Sequence, residues 1–173
     1  MTRPPHWRLA ALPLALLIAG CAGTAGRPDS SSGPLPDKTP PPMARVAESF
    51  VTAPMPEQEI DSVAAWNTPD GGTWLIATAK ETHQLVVYDG NTGAMLREIG
   101  GQGDAPGQFL RPNGIAVFGD IVFVVERDNQ RVQLLELPAF RPLLQFGKDE
   151  LKSPYGLWLH ELAPRELELF VTD

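Results

Sequence analysis

The sequence contains very little cysteine and histidine, which limits the chemistry that it can carry. Its single cysteine, Cys21, can form neither an intramolecular disulfide nor a cysteine-based metal site. The three histidines, His6, His83 and His160, are scattered along the chain, so they do not indicate a histidine metal cluster.

Positive charge is also scarce. The 173 residues include 14 Lys and Arg against 21 Asp and Glu, which gives a formal net charge of −7. A chain of this charge has no electrostatic basis for binding the phosphate backbone of a nucleic acid. Carboxylates in a suitable geometry would instead attract cations such as Ca²⁺.

Long apolar runs are missing except near the N-terminus. After two arginines, an apolar run of about 12 residues extends from Leu9 to Gly20, and Cys21 follows. The run is shorter than the roughly 20 residues of a membrane-spanning helix and is typical of a secretory signal. The stretch Ile18–Cys21 resembles a bacterial lipobox. We interpret residues 1–21 as a lipoprotein signal peptide with lipidation at Cys21; the alternative is a signal peptide with an incidental cysteine.

Residues 22–43 are rich in Pro, Ser and Gly and have almost no large apolar side chains. Such a segment cannot bury enough surface to fold, which favours a disordered tether over a Pro-rich recognition motif. Ala22 follows the cysteine without an acidic retention residue. The sequence therefore predicts an exported bacterial lipoprotein, attached to a membrane through its lipid and located at the outer membrane, in the periplasm or at the cell surface.

A repeat fills the rest of the chain. Residues 73–100 align without a gap with residues 120–147, an offset of 47. Each copy has three short strands rich in β-branched and aromatic residues, joined by turns rich in Gly, Asp, Asn and Thr. A further apolar segment precedes each copy, Ile60–Trp66 before the first and Asn113–Phe118 before the second. Four strands in about 40–50 residues is the period of a β-propeller blade.

A third copy begins at Ser153 and continues into the motif "ELELFVTD". Residues 44–173 are thus predicted to be an all-β domain of about two and a half four-stranded blades. Because propellers close with about 4–8 blades, we expect an N-terminal fragment of a longer propeller. An assembly of several three-bladed chains is the alternative. A β-sandwich does not account for a gap-free repeat.

The segment "GGQGDAPGQFLRPNGIAVFGDIVFVVERDNQRVQLLEL" resembles an NHL repeat, through "GQF", "P.GIAV" and "N.RVQ". NHL propellers are mostly binding platforms. The motif positions are interpreted as structural: Gly107 and Gly114 are predicted to lie in turns with positive φ. Four apolar residues are predicted to lie in the core, namely Ile115, Val117, Val122 and Val124.

A second resemblance extends from Val46 to Asp173. The motifs "IDSVAAW", "LIATAKETHQLVVYDGNTG", "NGIAVFGDIVFVVERDNQRVQLLEL" and "SPYGLWLHELAPRELELFVTD" occur in the order found in the N-terminal part of β-propeller phytases. That family uses several Ca²⁺ ions, Lys, Arg and carboxylates to hydrolyse phosphomonoesters of inositol phosphates. The resemblance implies metal-assisted attack of water on phosphorus, with cations holding the phosphate oxygens.

The resemblance carries over to four residues. Asp61 falls on an acidic Ca²⁺ ligand, Lys80 on a lysine of the phosphate site, and Tyr155 on a tyrosine of the active-site region, here assigned a catalytic role. Arg127 matches an arginine assigned to substrate binding. The family arginine of "NN.DVR" is replaced by Phe118. The family's catalytic glutamates would lie beyond Asp173.

Simpler roles are open for each of these residues. Asp61 could turn the strand entry, Lys80 and Arg127 could be exposed turn residues, and Tyr155 could be a core aromatic. Three acidic residues are expected to be solvated loop charges: Asp104, Glu126 and Asp128. Three tryptophans are expected to pack within the blades: Trp66, Trp74 and Trp158.

The sequence therefore predicts a phytase-like, Ca²⁺-dependent phosphomonoesterase acting on phytate or related inositol phosphates, with the fragment alone inactive. The alternative is a non-catalytic, NHL-like propeller lipoprotein that binds a protein or a glycan.

Overall fold

The computed structural model describes residues 43–164 and 166–173, and residues 46–173 belong to one compact unit. The signal peptide, Cys21 and nearly all of the tether lie outside the described residues. Within the described ranges, no helix is long and apolar enough to span a membrane.

Two four-stranded antiparallel sheets and a hairpin make up the described part of the unit, after a short 3-10 turn at Pro56–Gln58. The first sheet consists of β1 (Ile60–Asn67), β2 (Thr73–Ala79), β3 (Gln84–Asp89) and β4 (Met95–Gly100). The second sheet consists of β5 (Pro112–Phe118), β6 (Ile121–Glu126), β7 (Arg131–Glu136) and β8 (Arg141–Phe146). The hairpin pairs β9 (Leu157–Ala163) with β10 (Glu166–Val171).

This architecture confirms the predicted all-β fold, with four strands in each of the first two repeats. Both sheets are meanders in which neighbouring strands in sequence are neighbours in space. The third strands begin at Gln84 and Arg131, which matches the offset of 47 seen in the sequence. The third copy supplies two paired strands, and the described residues form no closed ring of sheets.

The core lies between the two sheets and explains their apolar sequences. Ile76 and Leu85 of the first sheet and Val122 and Val124 of the second are fully buried in one cluster. The central strands β2, β3, β6 and β7 are buried over most of their length. The sequences of β2, β3 and β6 are therefore mostly apolar, whereas β7 also buries Arg131 and Gln133. The outer strands β4 and β8 are largely exposed.

Polar and aromatic contacts reinforce the packing of the two sheets. The indole Nε1 of Trp66 donates a hydrogen bond of 3.0 Å to Asp120 Oδ1, in the β5–β6 turn. Trp66 and Trp74 pack against the core as predicted. Trp158 does not, because it lies on the outer face of the hairpin with 60% of its surface exposed, stacked on His160.

The predicted conformation is correct for one of the two glycines of the NHL-like motif. Gly107 has a φ of +83°, as expected for a turn. Gly114 does not have a positive φ. Its requirement is space, because a Cβ there would lie 2.8 Å from the carbonyl oxygen of Tyr155. Here β5 and the chain entering β9 approach too closely for a side chain.

The expectation that Glu126 is a solvated loop charge is wrong. Its side chain is fully buried and forms an ion pair with Arg131, with Nε 2.6 Å from Oε1. Oε2 accepts hydrogen bonds from Asn129 Nδ2 at 2.6 Å and from the backbone N–H of Leu110 at 3.0 Å. Burial raises the pKa of Glu126 above its ordinary value, against the lowering effect of Arg131 and the other donors.

The same ion pair fixes the loop between the two sheets. Arg131 donates through Nη1 to the carbonyl of Asp104 at 2.6 Å and through Nη2 to that of Gln108 at 2.9 Å. Gln133 accepts a hydrogen bond from the N–H of Gly107 at 2.7 Å. The polar residues of "N.RVQ" therefore satisfy buried backbone groups, which confirms that the motif is structural.

Candidate functional site

Irregularities in two first strands shape the candidate site. The register of β1 with β2 shifts between Ile60 and Val63, and that of β5 with β6 shifts between Pro112 and Ile115. A bulge of this kind bends a strand and redirects the side chains at it. The displaced residues include Asp61 in the first sheet.

Asp61 and Lys80 form an ion pair across the first sheet. Lys80 directly follows β2, and its backbone N–H donates to the carbonyl of Glu59 at 3.2 Å. Its Nζ lies 3.1 Å from Asp61 Oδ1, and the two side chains are each 18% exposed. Lys80 is therefore anchored to a carboxylate and is not a freely solvated turn residue.

Tyr155 reaches the same carboxylate from the third repeat. Its hydroxyl donates to Asp61 Oδ1 at 3.4 Å, and its backbone N–H donates to the carbonyl of Thr172 at 2.9 Å. Tyr155 is 52% exposed, so it is not a core aromatic. The structure thus brings together three of the four predicted site residues.

Arg127, the fourth predicted residue, lies in the β6–β7 turn. Its Nε donates to Asp128 Oδ1 at 2.7 Å, and its side chain is 38% exposed. The hydrogen bond to Asp128 raises the pKa of Arg127, and the charge interaction with Tyr155 adds a smaller increase. Its backbone N–H donates to the carbonyl of Arg111 at 3.2 Å, and no hydrogen bond joins it to the other three residues in the part of the chain that the structure describes.

Arg111 is a further cation at this end of the sheets, and the sequence analysis did not identify it. Its guanidinium lies 3.5 Å from Glu59 and 3.6 Å from Glu81, and its backbone N–H donates to His83 Nδ1 at 3.0 Å. These contacts join the loop before β5 to the turns of the first sheet. Its φ of +52° marks a turn, a feature that the residue type gave no reason to expect.

Asn113 was also missed. It is fully buried, and among the described residues neither its Nδ2 nor its Oδ1 has a hydrogen-bond partner. Its backbone carbonyl accepts a bond of 2.7 Å from Thr78 Oγ1. A signal was present in the sequence, because "RPNGIAV" aligns with "SPYGLWL" and places Asn113 opposite Tyr155.

Phe118 lies away from this group. It pairs with Ile121 at the far end of β5, next to the β5–β6 turn. Phe118 therefore takes no part in the surroundings of Asp61.

The donor set favours an anion over a metal ion. One lysine and a phenol contact a single carboxylate, and one oxygen of that carboxylate already accepts from both Lys80 and Tyr155. Ca²⁺ takes about 6–8 oxygen ligands. Across the described ranges, no three His, Cys, Asp or Glu side chains cluster as a metal site would require. These residues alone do not fit a Ca²⁺ site, although Asp61 could supply one ligand.

A separate cleft of about 650 Å³ lies at the opposite end of the sheets. Trp66 and Trp74 line it with ring centroids 5.0 Å apart, and the Arg97 guanidinium covers Trp74 at 4.7 Å. None of the four predicted site residues lines this cleft.

Comparison with known proteins identifies no family. No protein-family model and no curated protein matches the chain. Among solved structures, a chain titled Kuenenia stuttgartiensis Hydrazine Synthase is similar at 14% identity, with a TM-score of 0.43. The similarity covers 62% of this chain and 29% of that chain. A similarity of this size assigns no function to the chain.

Proposed function

We propose that the three repeats are successive blades of a β-propeller and that the end of the sheets carrying Asp61, Lys80 and Tyr155 binds a phosphate monoester. One observation carries the proposal: side chains 94 residues apart in sequence, from the first and third repeats, meet at one carboxylate oxygen. Arg127 of the second repeat is included in the proposal on the phytase resemblance, and its backbone N–H donates to the carbonyl of Arg111 at the same end of the sheets.

The chemistry of these groups suits a phosphate. Lysine and arginine form charge-assisted hydrogen bonds with phosphate oxygens, and a phenol donates one more. Asp61 holds the Lys80 ammonium in position at 3.1 Å. A bound phosphate would share the Lys80 ammonium with Asp61. Because the contacts of Asp61 with Lys80 and Tyr155 are exposed to solvent, added salt should weaken this attraction.

The activity that we propose for the whole protein is hydrolysis of phosphate monoesters of inositol phosphates, phytate among them. In this role Lys80 and Arg127 bind the phosphate and offset the negative charge that grows on its oxygens, and Tyr155 orients it. Ca²⁺ stays a prediction of the family resemblance, because the described residues bring a single carboxylate to the site. Attachment to a membrane through Cys21 likewise stays a proposal.

Titration calorimetry with the full-length protein tests the site. Inorganic phosphate and phytate should bind wild type, and Lys80→Ala should weaken both by about tenfold or more through loss of a charge-assisted hydrogen bond. The control is Lys148→Ala, which removes a lysine from an exposed position after β8. Equal affinities for wild type and Lys80→Ala would exclude the site.

Phosphate release from phytate, measured with Ca²⁺ and with a chelator, tests the activity. Release that requires Ca²⁺ and falls strongly in Lys80→Ala supports the phosphomonoesterase. If phytate binds without any release, the site is a binding site only. If no phosphorylated compound binds, the NHL-like binding platform is the better description.

A further inference from the structure

The cleft of about 650 Å³ at the opposite end of the sheets is lined by side chains of both charges. Trp74 of β2 pairs with Asp89 of β3, and Arg97 of β4 pairs with Val87, two residues before Asp89. Residues directly opposite each other, and residues two apart in one strand, lie on the same face of a sheet. Val87 belongs to the core between the two sheets. The indole, the carboxylate and the guanidinium therefore share that face where it opens into the cleft.

Aromatic rings hold the Arg97 guanidinium in place. It lies 4.7 Å from the ring centroid of Trp74 in the first sheet and 5.1 Å from that of Phe140 before β8. Its Nη2 donates to the carbonyl of Pro138. Stacking occupies the faces of a guanidinium and leaves the N–H groups at its edge free to donate in the plane. In the described part of the chain, Nε and Nη1 make no hydrogen bond and Arg97 forms no ion pair.

The carboxylate of Asp89 keeps one oxygen without a partner. Its Oδ1 accepts from the backbone N–H groups of Asn91 and Thr92, at 2.9 and 2.8 Å, and from Thr92 Oγ1 at 2.9 Å. The bonds from Thr92, with that from Asn91, lower the pKa of Asp89, so the carboxylate is ionised at neutral pH. Its Oδ2 accepts no hydrogen bond from any residue that the structure describes. Asp70, in the β1–β2 turn, brings a second carboxylate to the cleft.

These groups specify the charges of a ligand. Asp89 and Arg97 line one cleft without forming an ion pair with each other. A ligand with an ammonium and a carboxylate can pair with both, because the ammonium donates to Asp89 and the carboxylate accepts two hydrogen bonds from the guanidinium edge. Trp74 and Pro138 supply apolar surface beside these charges. The cleft volume of about 650 Å³ falls within the range of small-molecule sites, roughly 300–1,000 Å³.

We propose that this cleft binds a short apolar peptide with free termini, whose carboxylate pairs with Arg97 and whose ammonium pairs with Asp89. The charge of Asp70 adds to the attraction for the ammonium. The peptide would contact the first sheet and the β7–β8 turn of the second, since both line the cleft. This site shares no residue with the proposed phosphate site and lies at the other end of the sheets, so the two proposals stand or fall separately.

The experiment compares four forms of one dipeptide by titration calorimetry on the full-length protein. These are leucyl-leucine, its N-acetyl form, its C-terminal amide and the form blocked at both ends. Wild type should bind free leucyl-leucine about tenfold or more tightly than either singly blocked form, because each block removes one charge-assisted contact. The doubly blocked peptide, which keeps only the apolar contacts, should bind most weakly.

Two substitutions should remove these preferences separately. Asp89→Asn keeps an acceptor for the β3–β4 turn and loses the charge, so it should lose most of the preference for the free peptide over the acetylated one. Its preference for the free peptide over the amide should remain. Arg97→Gln should show the opposite pattern, because it loses the partner of the carboxylate. The control Arg141→Gln removes an exposed arginine that pairs with Glu136 on the second sheet, and it should keep both preferences.

The remaining outcomes overturn the proposal. If wild type binds none of the four peptides, or binds all four alike, the cleft is not a site for a zwitterion. If the amide binds as tightly as the free peptide, the cleft binds cations through its carboxylates and the role of Arg97 is wrong. Thermal unfolding shows whether each variant is folded; if Arg97→Gln is not, the wild-type ranking and Asp89→Asn decide. Lys80→Ala should bind leucyl-leucine as wild type does, which keeps this test separate from that of the phosphate site.

Discussion

Tyr155 and Asp61 are joined by a hydrogen bond of 3.4 Å, although 94 residues separate them in the chain. Lys80 donates to the same carboxylate oxygen at 3.1 Å. Two donors from different repeats therefore meet at one point, and their shared acceptor fixes how the first and third repeats are placed at this end of the sheets. Changes to either partner should alter the site more than the stability of the fold.

Tyr155→Phe removes the donor and keeps the ring. We expect the affinity for inorganic phosphate to fall about fivefold to tenfold, the effect of one lost hydrogen bond. Stability should change by less than about 1 kcal/mol, because the bond to Asp61 is exposed to solvent. Calorimetric titration and denaturant unfolding measure the two effects. A large loss of stability with unchanged affinity would show that the hydroxyl is structural.

Asp61→Asn distinguishes the two roles open to this carboxylate. If Asp61 only positions Lys80, the substitution removes a negative charge that repels the phosphate. In buffer containing a Ca²⁺ chelator, the variant should then bind phosphate as tightly as wild type or several-fold more tightly. If Asp61 is a Ca²⁺ ligand, the same variant should lose most of the Ca²⁺-dependent phosphate release. The affinity for phosphate is measured in the presence of the chelator, and the rate of phosphate release is measured in the presence of Ca²⁺. Asp149→Asn, at an exposed position after β8, is the control for loss of an acidic charge.

Much of the fold could be predicted from the sequence because strand period and turn composition are local signals. The repeat predicted three strands in each copy, and the apolar segments before the two copies correspond to β1 and β5. The burial of Glu126 could not be predicted this way. Its position at the end of a strand favours solvent, and only the loop that folds over it from residues 101–111 encloses it.

The candidate site was predicted in part for a similar reason. The resemblance named Asp61, Lys80 and Tyr155, which the structure brings into contact. The unpaired buried amide of Asn113 was missed, because it depends on a register shift and on the absence of partners among the described residues. Trp158 was expected to pack within its blade, but it is largely exposed. The alternation of apolar residues along a strand does not show which of the two faces a neighbouring sheet covers.

Arg131→Met leaves Glu126 buried without its counter-ion. Such a loss typically costs about 3–5 kcal/mol, and the loop carbonyls of Asp104 and Gln108 also lose their donor. Arg141→Met is the matched control, because the Arg141–Glu136 pair is exposed and should contribute less than about 1 kcal/mol. Urea unfolding of both variants measures the difference. Equal losses would show that burial does not set the strength of this pair.

The pH dependence of the free energy of unfolding should show the effect of the raised pKa of Glu126. Because burial raises its pKa, the folded protein binds a proton there more tightly than the unfolded chain does. Its contribution to stability is then fully present below the ordinary pKa of 4.5 and is lost as pH rises through the raised value. Glu126→Gln lacks this dependence.

Unfolding free energies are therefore compared between pH 4 and pH 8, about the range where glutamates with raised pKa values titrate. The stability of wild type relative to Glu126→Gln should decrease as pH increases. A relative stability that increases with pH would show that Arg131 and the other donors outweigh burial and lower the pKa.

Gly114→Ala tests whether the spacing of the repeats forms the site. The added Cβ would lie 2.8 Å from the Tyr155 carbonyl oxygen and 3.0 Å from Gly156 Cα, so β9 must move away from β5. Tyr155 should then lose its bond to Asp61, and phosphate affinity should fall at least as much as in Tyr155→Phe, although no binding side chain has changed. Gly90→Ala is the matched control, because its added Cβ would lie 3.0 Å from the Thr73 carbonyl oxygen at the other end of the sheets; it should leave the affinity unchanged. In the double variant Gly114→Ala, Tyr155→Phe the two losses should not add, because both act through the same contact. If the two losses of binding free energy add fully, Gly114 affects phosphate binding independently of the hydrogen bond between Tyr155 and Asp61. The spacing of the repeats then does not act through this bond.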